Sequence, residues 1–203
     1  SGKLEYYNGE VWWQIDNFSA DNATGGTRGV FAGGVFPTPA ATNIIQYVNI
    51  DSTGNSIDFG DLLTGKRGNA ACASSTRGIS AGGRQTPSGT RVNEIEFVTI
   101  ASTGNSQDFG DLTVTPESLY GLSSSTRGVF AGGYTPTITN VIAYITIASN
   151  GVNAQDFGDL TDTGRDGSAC ASSTRGIFAG GFKTAPTVLN TIEYVTISTL
   201  GNA

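Results

Sequence analysis

The phrase Thr-Arg-Gly-x-x-Ala-Gly-Gly returns four times along this chain, and its period restricts the fold more than any other feature. It reads Thr27-Arg28-Gly29-Val30-Phe31-Ala32-Gly33-Gly34 in the first copy and Thr76-Arg77-Gly78-Ile79-Ser80-Ala81-Gly82-Gly83 in the second. The third is Thr126-Arg127-Gly128-Val129-Phe130-Ala131-Gly132-Gly133 and the fourth Thr174-Arg175-Gly176-Ile177-Phe178-Ala179-Gly180-Gly181. The arginines stand 49, 50 and 48 residues apart, a spacing that suits a propeller blade and is too long for most helical repeats. Each period is therefore predicted to fold as one small sheet.

Each full period resolves into four strands. In the second copy the small residues of Gly68-Asn69-Ala70-Ala71-Cys72-Ala73-Ser74-Ser75 suit an innermost strand crowded around an axis, as does the stretch around Ala169 in the fourth. Arg77-Gly78 makes the turn into a second strand that ends at the glycine pair. A variable loop leads to the third strand, Glu94 to Ile100, whose counterparts are Ile44 to Ile50, Val141 to Ile147 and Thr191 to Ile197. These strands are apolar on both alternating faces, so each sheet is expected to be covered on both sides. The fourth strand carries Asp108-Phe109-Gly110-Asp111-Leu112, repeated as Asp58-Phe59-Gly60-Asp61-Leu62 and Asp156-Phe157-Gly158-Asp159-Leu160. The fourth copy of that motif is missing where the chain runs through Thr199-Leu200-Gly201-Asn202-Ala203.

Residues 1–18 differ from the repeats. Asn8-Gly9 between two aromatic runs signals a two-residue hairpin, with strands at about 3–7 and 10–16. An unpaired edge on the last sheet is a hazard, and residues 10–16 are the predicted filler, pairing with the strand around Thr191 to Ser198 and closing the ring. The expected architecture is all-β: a propeller of about four blades, each of four antiparallel strands, at 19–63, 64–113, 114–161 and 162–203.

Composition agrees with a turn-rich β protein, since 29 of the 203 residues are Gly and only 14% are charged. A net charge of −6 disfavours nucleic acid and anionic membrane surfaces as partners, and no run of 18 apolar residues calls for membrane insertion. Cys72 and Cys170 hold one equivalent position, filled by Ala23 and Leu122 in the other copies, so both are expected to be reduced and buried. Without histidine or a paired-cysteine motif, no zinc site is expected, and no cofactor is predicted.

Arg67, the small strand after it, Gly82-Gly83 and Glu96-Phe97 resemble a kelch-type blade, as do Arg165, Gly180-Gly181 and Glu193-Tyr194. The late Trp of kelch blades is replaced by the Phe of Asp-Phe-Gly-Asp-Leu, so the resemblance is kelch-like. The phrases Ile-Glu-Tyr-Val-Thr-Ile, Gly-Asn-x-Gln-Asp-Phe-Gly-Asp-Leu and Ser-Ser-Thr-Arg-Gly-x-Phe-Ala-Gly-Gly are similar to repeats in tail-associated and virion structural proteins of tailed bacteriophages, notably those of marine cyanobacteria. The opening hairpin, Gly2 to Trp12, resembles one found in phage tail-fibre proteins. The resemblance implies a component on the tail or capsid exterior, with other virion proteins or a host-surface glycan or protein as partners, and homo-oligomerisation as an option.

Asp-Phe-Gly in triplicate, inside strands and without a kinase's lysine strand or catalytic loop, reads as structural. Ser56-x-Asp58-x-Gly60 and Ser106-x-Asp108-x-Gly110 resemble the start of a sialidase Asp-box, itself a turn motif. The repeated aspartates either partner arginines and cap turns or ligate Ca²⁺. Arg28, Arg77, Arg127 and Arg175 either tie each sheet to a neighbour's carboxylate or converge on an anion. Candidate ligand-binding residues lie in the loops after each glycine pair, where the copies diverge: Phe36, Arg84, Arg91, Tyr134, Phe182 and Lys183. The same loops could instead be plain connectors. A propeller glycosidase is the alternative, with Glu94, Glu117 and Asp166 as the acids that break the repeat.

Overall fold

The computed structural model describes residues 4–7, 12–15, 26–36, 40–184 and 187–203. The described residues form strands and turns with no helix. The second repeat folds as an antiparallel sheet in chain order, Ala70–Ala73, Arg77–Ala81, Glu94–Thr99 and Gln107–Asp111. The third repeats it with Tyr120–Ser123, Arg127–Ala131, Val141–Thr146 and Gln155–Asp159. The turn between the first two strands comes from the Ser-Ser-Thr-Arg phrase: Ser74 Oγ accepts the Thr76 and Arg77 N–H groups at 3.3 and 3.1 Å. Ser124 and Ser172 do the same in their repeats, a hydroxyl standing in for a backbone acceptor.

Successive sheets stack face to face, and the apolar core is divided among the gaps between them. We call the face carrying the repeated arginine the leading face and the opposite one the receiving face. Ile79, Ile95, Phe97, Phe109 and Leu112 on the leading face of the second sheet pack against Phe130, Ala143, Ile145 and Ile147 of the third. The third meets the fourth through Leu122, Val129, Ile142 and Phe157 against Phe178, Val195 and Ile197. Ile45, Phe59 and Leu62 of the first meet Val98 of the second. This is why the third strands are apolar on both faces, Glu94–Thr99 being buried from Ile95 to Val98. The inner strands of consecutive sheets also run side by side, with Ser123 Oγ donating to the Ala73 carbonyl at 2.8 Å and accepting its N–H at 3.2 Å. The architecture is a propeller-like stack of small antiparallel sheets.

Backbone hydrogen bonds lock each sheet to the next. The turn after each third strand grips the outer strand of the preceding repeat: Gly104 N–H donates to Phe59 O (2.7 Å), Ala154 N–H to Asp111 O (2.8 Å) and Gly201 N–H to Phe157 O (2.8 Å). Asn105, Asn153 and Asn202 Oδ1 accept the N–H of Asp61, Asp111 and Asp159 at 3.0, 3.1 and 3.0 Å. Close approach explains the glycine of Asp-Phe-Gly-Asp-Leu. At Gly110 φ is +141°, and an added Cβ would lie 2.8 Å from the Val152 carbonyl oxygen.

Several expectations change. The first sheet has three described strands, Arg28–Ala32, Ile44–Asn49 and Ile57–Asp61, and the position expected for its inner strand lies outside the described residues. The fourth sheet has Ser168–Ala171, Arg175–Ala179 and Ile192–Thr196, with no outer strand among the described residues. The predicted filler is not there. Trp12–Ile15 pairs with Leu4–Tyr7, and Ile192–Thr196 has only Arg175–Ala179 as its ladder partner among the described strands. In that hairpin Tyr7 faces Trp12, whereas a two-residue Asn8-Gly9 turn would set it opposite Glu10. The turn itself lies outside the described residues.

The cysteines are both free, but they are not equivalent: Cys72 is half-buried and Cys170 exposed. The sulfur of Cys72 packs against Gly128 of the next sheet, as Leu122 packs against Gly176. Cys170 has no described sheet beyond it. Enclosure pushes the Cys72 thiol up to about 12, because a thiolate there would lose its water.

Candidate binding face

The second, third and fourth loops that follow the glycine pairs are each anchored to the start of their own repeat. Lys66–Arg67 pairs with Arg84–Gln85, Glu117 bridges to Tyr134, and Arg165 to Phe182. Because anchors and loops alternate along the stack, side chains from neighbouring repeats meet. Arg91 of the second loop forms an ion pair with Glu117 of the third repeat at 2.8 Å, and its guanidinium lies 4.4 Å from the Tyr134 ring centroid. Arg84 approaches the same carboxylate at 3.8 Å. Arg165 of the fourth repeat stands 5.6 Å from Tyr134 and 6.0 Å from Phe182, and pairs with Asp166 at 2.8 Å. Lys183 pairs with Asp162 at 2.5 Å.

The result is a row of alternating cations and rings running from Arg84 to Phe182 across three repeats, each member partly exposed. Two guanidinium groups lie near the Tyr134 ring, and each such contact contributes about 0.5–1 kcal/mol at a surface. Beside the row, an open groove of about 590 Å³ runs between the first and second loops, lined by Ala41, Asn43, Thr64 and residues 85–88. Of the predicted residues, Arg84, Arg91, Tyr134 and Phe182 come together in the row. Phe36 is exposed on the first loop and takes no part in a ring contact among the described residues. Glu117 and Arg165 belong to the row as well. They stand at one repeat position with opposite charge, a divergence visible in the sequence but with no spacing rule to link it to the loops. Beneath the row, burial first, and then Glu193 and Asp166, raise the Tyr120 hydroxyl above its ordinary pKa. That hydroxyl donates to the Gly180 carbonyl at 2.8 Å.

The repeated arginines take a different position from the anion ring considered above. Arg28, Arg77, Arg127 and Arg175 each lie over the aromatic ring of their own third strand, Tyr47, Phe97, Tyr144 and Tyr194, at 4.5–4.7 Å. The first three then reach backbone carbonyls of the next sheet, where a carboxylate was expected. Arg28 donates to Ile100 O at 2.7 Å, Arg77 to Ile147 O and Ser149 O at 2.9 and 2.8 Å, and Arg127 to Ile197 O at 2.5 Å. A carbonyl at a strand end is a fixed acceptor that every repeat supplies regardless of its side chains.

The gap between the first and second sheets is unlike the others. Ser80 stands where Phe130 and Phe178 fill the later gaps, and Glu96 where Ala143 does. Glu96 and Lys66 are fully buried and meet at 2.6 Å, off the direction of a well-formed hydrogen bond. The second Glu96 oxygen accepts the Leu63 N–H at 2.8 Å and the Ser106 hydroxyl. A cavity of about 290 Å³ lies beside them, lined by Val30, Ala71, Cys72, Phe97 and Ser106. The acids that break the repeat are dispersed into separate contacts: Glu94 with the Thr64 hydroxyl, Glu117 with Arg84 and Arg91, Asp166 with Arg165.

No protein-family model matches this chain, and no curated protein is similar to it. Among solved structures it is similar to YjhT, a β-propeller-type neighbour, with a TM-score of 0.64 and 12% identity over 78% of this chain and 50% of YjhT. At that identity the likeness is one of fold, and this chain spans about half the length of YjhT.

Proposed function

We propose that this chain is a non-enzymatic virion module of a tailed bacteriophage, built of kelch-like propeller blades, that binds a host-surface glycan or protein or another virion protein through its variable loops. The observation that carries the reading is the row from Arg84 to Phe182. Its side chains differ from repeat to repeat while the strands beneath them are nearly the same, and that is where selection for a ligand can act without disturbing the scaffold. Guanidinium groups and aromatic rings held in place by each other are the usual anchors of a recognition surface. The phage assignment is supported by the repeat phrases and the opening hairpin.

The test is binding to host-cell envelope polysaccharide and to purified virion proteins, by surface plasmon resonance, with the Arg84→Ala/Tyr134→Ala double variant as comparison. Specific binding that falls at least about tenfold in the variant, roughly 1.4 kcal/mol, with no release of reducing sugar, is the expected result. Binding unchanged by the substitutions, or hydrolysis of the polysaccharide, defeats the proposal.

A further inference from the structure

The three gaps inside the stack share one set of contacts, and half of that set is left over at each end. In every internal gap the leading face offers an isoleucine at the second position of the third strand, an arginine stacked on an aromatic ring, and the guanidinium bonds to the next repeat. Ile45, Ile95 and Ile142 are 1%, 0% and 0% exposed. The receiving face offers the isoleucine that follows its third strand, Ile100, Ile147 or Ile197, each with its carbonyl accepting from that arginine.

On the fourth sheet the isoleucine, arginine and ring of the leading face are present and uncovered, without, among the described residues, the outer-strand Phe and Leu that the internal gaps add. Ile192 is 76% and Tyr194 57% exposed, and Arg175 is stacked over Tyr194 at 4.6 Å in the pose of its three counterparts, with no carbonyl acceptor among the described residues. On the first sheet the receiving face is likewise uncovered: Ile50 is 65% and Phe31 63% exposed, at positions equivalent to the buried Ile147 and Phe130, and no described arginine reaches the Ile50 carbonyl. Large apolar side chains exposed together on one face mark a docking surface. These two faces carry the complementary halves of the isoleucine, ring and arginine–carbonyl part of a contact the chain already makes three times.

We propose that the leading face of the fourth repeat docks on the receiving face of the first repeat in a second copy of this chain. Arg175 would donate to the Ile50 carbonyl, and Ile192 and Tyr194 would cover Ile50 and Phe31. Continuity with the internal gaps is the argument for this occupant, since no other surface among the described residues presents the same set. Such a contact is heterologous: it closes into a ring where the rotation allows and otherwise continues head to tail. The proposal is independent of what the loop face binds.

Light scattering after size exclusion tests it, with Ile50→Asp and Ile192→Asp, both surface positions. The wild-type chain is expected to form concentration-dependent assemblies of at least twice its 20.9 kDa. Each variant alone should stay monomeric. An equimolar mixture of the two should give a one-to-one dimer, because one variant keeps an intact leading face and the other an intact receiving face. A wild-type chain that remains a monomer at every concentration, a variant that assembles as the wild type does, or a mixture that stays monomeric overturns the proposal. Circular dichroism melts of both variants exclude misfolding as the cause.

Discussion

Lys66 and Glu96 occupy sites that the third repeat fills with Pro116 and Ala143, so the same scaffold tolerates either a buried ion pair or an apolar contact. Removing one charge strands the other: Glu96→Ala should cost about 3–5 kcal/mol in urea unfolding. The double variant Lys66→Met/Glu96→Leu should return to within about 1 kcal/mol of the parent, as buried pairs replaced by apolar groups often do. Ser106 Oγ, which also accepts the Leu63 N–H at 3.1 Å, keeps that donor satisfied. A double variant as unstable as the single would show that the pair stabilises the gap in its own right. The cysteines give a second prediction. Iodoacetamide at pH 8 should modify Cys170 in the folded protein and leave Cys72 untouched, because the reactive thiolate is suppressed when the thiol is held near 12. The sign of the pH effect follows. The folded protein holds the Cys72 proton more tightly than the unfolded chain, so this contribution to stability is complete below the unfolded thiol pKa and declines as pH rises from there toward 12. Cys72→Ala should flatten thermal stability between pH 9 and 11, and equal slopes in both proteins would contradict the assignment.

At the scale of the strand, the glycine of each Asp-Phe-Gly-Asp-Leu motif lies close against the turn of the next repeat, and substitutions at Gly104 and Gly110 separate backbone strain from crowding. Gly104 has φ of +155° and open space around its Cβ position, so Gly104→Ala should cost about 1 kcal/mol, the strain alone. Gly110→Ala adds collision with the Val152 carbonyl and should cost about 2 kcal/mol more. Equal losses in chemical denaturation would mean the sheets can part to admit a methyl group. What the sequence made legible here was the strand order, because Thr-Arg-Gly and Asp-Phe-Gly-Asp-Leu recur with a fixed period and alternate apolar residues on both faces. It did not show why each motif has its form. Gly128 and Gly176 are small because Cys72 and Leu122 of the preceding repeat pack against them, a contact about 55 residues away in sequence. The loop row was half legible: divergence picked out Arg84, Arg91, Tyr134 and Phe182, but their partners Glu117 and Arg165 come from adjacent repeats, and only the stacking brings them near. Cys170 is exposed, against the expectation of burial, because equivalence in sequence implies equivalence in space only where a described sheet covers the same face.

At the scale of the molecule, a stack in which each sheet touches only its neighbours has stability that is nearly a sum over gaps, and these gaps are unequal. The second-to-third gap buries twelve core residues and the third-to-fourth ten. The first-to-second gap has a cluster of four with Ile100 also buried, and a cavity and an ion pair occupying the space that Phe130 and Ala143 fill one repeat on. At about 1.5–3 kcal/mol for each large apolar side chain removed from water, the first sheet is held by much less than the third. Backbone locking does not compensate, since the turn bonds from Gly104 and Asn105 are matched by equivalents in every gap. Amide hydrogen exchange should therefore resolve the stack into units that open separately. At monomer concentrations, the amides of Ile44–Asn49 should exchange fastest among the third strands, and those of Glu94–Thr99 and Val141–Thr146, flanking the richest gap, slowest. Lys66→Met/Glu96→Leu should slow exchange in the first sheet selectively, by filling its gap with apolar atoms. A single exchange rate shared by all four third strands would show that the chain unfolds as one cooperative body and that the unequal gaps carry no consequence.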